Sequence, residues 1–337
     1  MSTTRRVVPA SFFSMVLGLC GLGTDWRAAA KLWGAPGWLG EAVMAVAGTV
    51  WLLLVVMYAL KWLRNREAAL AEIAHPIQCC FVALLPVTTM LVGIAVLPYS
   101  RPAALALCGV GALGSLLFGV WRHGGLWRGG RSVNFTTPVL YLPTVAANLV
   151  SAMAAGALGW PELGQLFFGA AVLSWLAIES IIVGRLLNAE EVPLALRPTV
   201  GIQPAPPAVT LLAYTAITTG PPDLIAHGLL GYAVIQALIA VRLIGWFRQP
   251  FTAGYWAFTF GTTAIASATM RFADRGGDWV FTSLAPVLFV IANVLVVSLF
   301  IATVWAALRG KLLPVVASAA PTAPALSPSA SRSAAAS

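Results

Sequence analysis

The chain has 337 residues, of which 59% are hydrophobic and only 9% are charged. Soluble domains carry about 25% charged residues, so this composition excludes a soluble globular enzyme, a disordered protein and a secreted disulfide scaffold. The 20 Lys and Arg outnumber the 11 Asp and Glu to give a net charge of +9. In so apolar a chain that excess reports topology and contact with anionic lipid headgroups, not nucleic acid.

Ten apolar segments are predicted, at 9–26, 38–62, 77–98, 102–121, 138–158, 162–186, 201–219, 224–246, 254–272 and 280–307. Each approaches the ~20 residues that cross a bilayer as a helix. Trp26, Trp38, Trp62, Trp121, Trp127, Trp160, Trp246 and Trp279 fall near the ends, as an interfacial aromatic belt requires. Arg5-Arg6 before the first segment imitates a signal, but no A-x-A-like site follows and Leu19 is too large for a lipoprotein site before Cys20. The first segment therefore reads as an uncleaved span. Across the loops, fifteen basic residues fall on one side, and five (Arg27, Lys31, Arg101, Arg271 and Arg275) on the other. The positive-inside rule then places both termini in the cytoplasm.

In chain order, the odd and even spans differ. The third enters at Pro76 and holds Cys79, Cys80 and Pro86, with Thr88 and Thr89 beyond. The fourth contains Cys108 and Gly109-Val110-Gly111-Ala112-Leu113-Gly114. A dinucleotide site needs a strand before those glycines and an acid about 20 residues later. Neither is present, so the glycines read as a close helix-packing stripe. The fifth span enters at Pro138 and holds Pro143, Thr144, Asn148 and Ser151; the sixth carries Glu179, an acid well inside a span. The seventh has Pro204, Pro206 and Pro207, then Thr210 and Tyr214, and the ninth has Thr259, Gly261, Thr262 and Thr263. Residues 313–337, rich in Pro, Ala and Ser, are expected to form a disordered cytoplasmic tail behind a transmembrane domain of residues 1–312.

Proline inside a helix removes a donor and kinks the chain, freeing carbonyls that lipid cannot satisfy. Kinked, hydroxyl-bearing odd spans therefore belong inside a bundle, and the smoother even spans around it. Pro86, Pro143 and Pro206 are the expected kinks. Thr88, Thr89, Thr144, Asn148, Tyr214, Thr259 and Thr263 are the expected lining of a central path. No metal-ligand spacing, hydrolase motif or paired intramembrane carboxylate occurs, and His75, His123 and His227 fall near span ends. Neither catalysis nor a cofactor is expected. Glu179 offers one alternative, a proton site in a coupled carrier. A path lined by weak donors and few fixed charges instead suits fast passage of anions.

Three stretches carry a resemblance: Phe81-Val82-Ala83-Leu84-Leu85-Pro86-Val87-Thr88-Thr89-Met90, Tyr141-Leu142-Pro143-Thr144-Val145-Ala146-Ala147-Asn148 and Trp256-Ala257-Phe258-Thr259-Phe260-Gly261. They resemble the bacterial TehA branch of the tellurite-resistance/dicarboxylate transporter family, with its plant slow anion channels, malate permeases and sulfite efflux pumps. The resemblance covers residues 9 to 312. It implies a homotrimer in the bacterial inner membrane, each protomer having five helical hairpins in quasi-fivefold symmetry and odd helices around its own pore. It also implies that Phe260 plugs that pore, with Gly261 giving local flexibility, and it adds Ser14 to the lining candidates. Three departures stand out: Val16 occupies the position of the family's first-span proline, His75-Pro76-Ile77-Gln78 lacks the arginine of the usual third-span entry, and the seventh span has extra prolines, of which the resemblance makes Pro206 the equivalent of the family's. The resulting expectation is a channel for small inorganic or organic anions. The alternative is a proton-coupled permease for a dicarboxylate, sulfite or tellurite.

Overall fold

Leu- and Val-rich stretches with few interior polar residues form the long helices of the bundle, as their composition demands. A computed structural model describes residues 5–313 together with 315 and 316. The expected tail thus lies almost wholly outside the described residues. The helices are α1 (Phe13–Trp33), α2 (Gly37–Arg64), α3 (Arg66–Ala74), α4 (Gln78–Phe81), α5 (Leu84–Val96), α6 (Arg101–Leu126), α7 (Ala147–Ala157), α8 (Pro161–Asn188), α9 (Ala205–Ile217), α10 (Leu224–Arg242), α11 (Thr259–Asp274) and α12 (Trp279–Leu308). Arg5–Arg6 pair antiparallel with Val315–Val316, tying the two ends of the described chain together.

Among the described residues, seven helical stretches are long and apolar enough to cross a membrane: α2, Gln78–Val96, α6, Pro138–Ala157, α8, α10 and α12. The chain is therefore a multi-pass membrane protein. The other three expected spans become α1, α9 and α11, and each differs for a visible reason. The last turns of α1 carry Asp25, Arg27 and Lys31, while α9 and α11 have 13 and 16 residues. At 1.5 Å per residue those two are shorter than the ~30 Å hydrocarbon core. Both are preceded by 3-10 turns, Leu194–Ile202 and Ala253–Phe258, which extend the segment.

The helices differ sharply in burial. The apolar windows of α2, α6, α8, α10 and α12 are 17% to 28% buried, against 67% for Gln78–Val96 and 78% for Pro138–Ala157. In sequence α1 packs on α2, α5 on α6, α7 on α8, α9 on α10, and α11 on α12. The buried helices also touch one another in order, α1–α5–α7–α9–α11, and α11 returns to α1. Backbone irregularity survives only where other protein covers it.

Each helix of the circuit is irregular at its start. A 3-10 turn, Ala10–Phe12, precedes α1, and α4 breaks from α5 at Val82 and Ala83. A 3-10 turn (Pro138–Tyr141) and a π turn (Leu142–Ala146) lead into α7. These breaks occur without proline in α1 and α11, so proline accounts for only part of them. On α6, a β-carbon at Gly111 would stand 2.7 Å from the Pro86 carbonyl oxygen, and one at Gly119 would stand 2.7 Å from that of Pro143. The glycine stripe thus lets α6 backbone cover carbonyls at the two proline sites, while Gly109 faces open space.

One buried ion pair fixes the end of the bundle where α1 begins. Glu72 of α3 accepts from Lys61 Nζ at 2.7 Å, Tyr58 Oη at 3.0 Å and the Ala10 amide at 2.8 Å. Removing one partner of a buried pair leaves the other charge uncompensated, which costs about 3–5 kcal/mol. Glu72→Ala is therefore expected to lower the detergent-solubilised melting temperature strongly, and Glu72→Ala with Lys61→Met to recover part of the loss. A melting temperature unchanged in Glu72→Ala would contradict this role.

Candidate functional site

A cavity of about 70 Å³ lies among the irregular starts of these five helices. Every one contributes: Ser11, Ser14 and Leu17 at α1, Phe81 and Leu84 at α4 and α5, and Tyr141, Val145 and Leu149 leading into α7. Thr199, Ile202, Pro206 and Val209 come from the segment into α9, and Gly254, Trp256 and Phe260 from the segment into α11. The wall is mostly apolar, with hydroxyls at Ser11, Ser14, Tyr141 and Thr199. Phe260, the second residue of α11, is 7% exposed and lines this space. Behind it Trp256 is anchored to α12 by an Nε1–H donated to Thr303 Oγ1 at 2.8 Å.

Of the residues singled out from the sequence, Ser14, Pro206 and Phe260 reach this cavity. Gly261 sits against α9, where a β-carbon would stand 2.9 Å from Ala205 Cα. Its missing side chain lets α11 approach α9 beside Phe260. The remaining hydroxyls are spread over helix interfaces. Thr88 donates to Leu84 O at 2.8 Å, Thr89 to Leu85 O at 2.8 Å, and Thr259 to Trp256 O at 2.8 Å. Thr263 donates to Thr259 O at 3.0 Å, and Asn148 to Thr144 O at 2.7 Å. A hydroxyl satisfied by its own helix can face an apolar neighbour at little cost. Thr259 and Thr263 pack under Gly18 and Gly21 of α1, Thr89 accepts from Trp51 of α2 at 3.3 Å, and Thr144 meets His123 of α6 at 3.2 Å. Tyr214 donates to Asp223 at 2.5 Å. Asp223 lies just ahead of α10, caps it through the Ala226 amide at 2.9 Å, and is held below the usual carboxylate range by the Tyr214 hydroxyl.

Glu179 lies beside this cavity. One carboxylate oxygen accepts from Tyr141 Oη at 2.5 Å and Trp175 Nε1 at 2.9 Å. The other accepts from Gln203 Nε2 at 2.9 Å and Tyr232 Oη at 2.7 Å. Four donors from α8, α10 and the segments leading into α7 and α9 therefore converge on one acid. Tyr141 belongs to both the cavity wall and this knot. Its residue type gave no sign of either contact, since a tyrosine beside Pro143 reads equally well as core. Tyr232 and Gln203 carried no sequence signal, because they lie 53 and 24 residues from Glu179. Among the described residues no three His, Cys, Asp or Glu side chains converge as metal ligands do. The four cysteines are buried thiols.

Comparison with known proteins bears on this arrangement. Residues 7–304 match the SLAC1 family, described as voltage-dependent anion channel. The chain is 34% identical over 306 residues to the tellurite resistance protein TehA homolog of Haemophilus influenzae, covering 90% of this chain and 92% of that protein. It is 26% identical over 310 residues to the S-type anion channel SLAH3 of Arabidopsis thaliana, covering 88% of this chain and 48% of that one. With the guard cell S-type anion channel SLAC1 of the same plant it shares 26% identity over 313 residues, 88% of this chain and 55% of that channel. The chain thus spans about half the length of these plant relatives. The family consists of anion channels and transporters, not enzymes. A membrane-embedded circuit of helices, matched along nearly its whole length by that family, makes this chain a member of the SLAC1/TehA family of membrane anion transporters.

Proposed function

We propose that the protein is an anion channel in which α1, α5, α7, α9 and α11 surround a pore, backed by α2, α6, α8, α10 and α12 as five hairpins of quasi-fivefold symmetry. Phe260 is its gate. The observation that carries the reading is the cavity at the helix starts, built from all five inner segments and lined by Phe260. An aromatic ring in so narrow and apolar a space blocks an anion, which would have to shed its water with little in return. Conduction is gated electrodiffusion of small monovalent anions, with no cofactor. The basic-residue asymmetry supports both termini in the cytoplasm, and the family resemblance supports a homotrimer in a bacterial inner membrane.

The carrier alternative needs Glu179 to take up and release a proton. Its carboxylate already accepts four hydrogen bonds, and a proton taken up there would require the hydroxyl of Tyr141 or Tyr232 to turn and accept instead. That geometry favours a structural tie. The experiment is flux from proteoliposomes under an imposed voltage. A channel gives flux that follows the voltage with chloride or nitrate and needs no proton gradient. Accumulation that depends on a proton gradient and ignores voltage would replace this reading with the carrier.

A further inference from the structure

Four of the five basic residues opposite the positively charged side, Arg27, Lys31, Arg271 and Arg275, line a single second cavity of about 310 Å³. The fifth, Arg101, is turned elsewhere, donating to Leu158 O at 2.9 Å. The cavity lies at the ends of α1 and α11, remote from their irregular starts. Thr24, Arg27, Ala28 and Lys31 recur at helical spacing on one face of α1, and Arg271, Asp274 and Arg275 on one face of α11.

The carboxylates nearby neutralise only part of this group. Glu41 takes Arg27 as a two-point pair at 2.8 and 2.7 Å, and Asp274 takes Lys31 at 2.6 Å. Arg275 donates to backbone carbonyls, Thr215 O at 2.6 Å and Thr218 O at 3.0 Å, which braces α11 against α9. Arg271 makes a single long contact, Nη1 to Thr215 Oγ1 at 3.4 Å. Among the described residues it has no carboxylate within ion-pair distance. Asp25, buried on α1, accepts from Ser267 Oγ at 2.5 Å instead. A guanidinium carries five N–H donors in a rigid fork, so most of those of Arg271 are uncommitted beside a cavity.

We propose that this cavity is a binding site for a small oxyanion, nitrate or a carboxylate being the matching chemistry, with Arg271 as its principal donor and Arg275, held by backbone carbonyls, adding positive charge beside it. The planar fork pairs two oxygens at once, which a halide cannot offer. The inference deepens the channel reading, placing a capture site at the mouth remote from Phe260. Binding is nevertheless measurable without transport.

The test follows the melting temperature of the purified full-length protein in detergent as nitrate replaces chloride at constant ionic strength. Saturable stabilisation by nitrate is expected in the wild type. In Arg271→Gln the nitrate concentration for half the effect should rise about tenfold or more, the loss of a charge-assisted pair. Arg101→Gln, at the basic residue of this side that is turned away from the cavity, should respond as the wild type does. If Arg271→Gln does not fold, Arg271→Lys keeps the charge without the fork and should lose the preference for nitrate over chloride. An unchanged nitrate response in either Arg271 variant, or a wild type that responds equally to chloride, overturns the site. Nitrate binding that Arg271→Gln weakens, in a protein that passes no anion under voltage, would retain the site and remove the channel.

Discussion

Replacing Phe260 with alanine is expected to raise voltage-driven anion flux in proteoliposomes by about ten- to a hundredfold, equivalent to removing roughly 1.4–2.7 kcal/mol from the barrier. The argument is steric and dielectric. Phe260 lines a cavity of about 70 Å³ among residues of all five inner segments, and an anion passing its ring must give up hydration to an apolar wall. Alanine opens that space to water without adding a charge. Phe260→Leu, nearer in bulk, should show a much smaller rise. The measurement is initial efflux at a fixed voltage, normalised to the amount of folded protein in the vesicles. Flux in Phe260→Ala equal to that of the wild type, with the fold intact, would remove Phe260 from the gate.

The second large effect is on stability. Glu179→Ala leaves the donors of Trp175 and Gln203 without their acceptor, while Tyr141 keeps only its 3.3 Å contact with Gln203 Oε1. Each unsatisfied buried donor costs ~1–3 kcal/mol, so a total of about 2–6 kcal/mol is expected, with a fall in melting temperature on the order of 10 °C. Part of the effect should reach the cavity, because Tyr141 belongs to its wall. Glu179→Gln keeps the shape and one oxygen, and the tyrosine hydroxyls can turn to accept from the new amide. It should therefore melt much closer to the wild type and conduct within about twofold of it. Abolished transport in Glu179→Gln with a normal melting temperature would favour a proton-coupled carrier. This pair of variants separates an acid that ties helices together from one that moves protons.

The contrast between spans was legible from residue types alone. Pro86, Pro143 and Pro206 with nearby hydroxyls marked the segments that are buried, and smooth Leu/Val runs marked those that face outward. The lining of the cavity was far less legible. Thr88, Thr89, Thr259 and Thr263 looked like lumen residues because a hydroxyl in a membrane segment needs a partner. Each found one three or four residues back along the chain, and none of the four lines the cavity at the helix starts. At Gly261 the structure shows a close approach between α11 and α9. The five-and-fifteen division of basic residues was read as topology. That four of the five share a cavity depended on the rotations of α1 and α11.

By itself the sequence determined that this is a helical membrane protein of the SLAC1/TehA family, because apolar content, proline placement and the matched stretches are properties of residue order. Only the tertiary structure decided which side chains line the two cavities, where these lie and what Glu179 holds. Those depend on how far each helix is rotated and where a 3-10 turn becomes an α-helix. A single 3-10 turn changes the direction of every side chain after it. Residues as distant as Tyr141, Glu179 and Tyr232 meet only after all of those rotations are set.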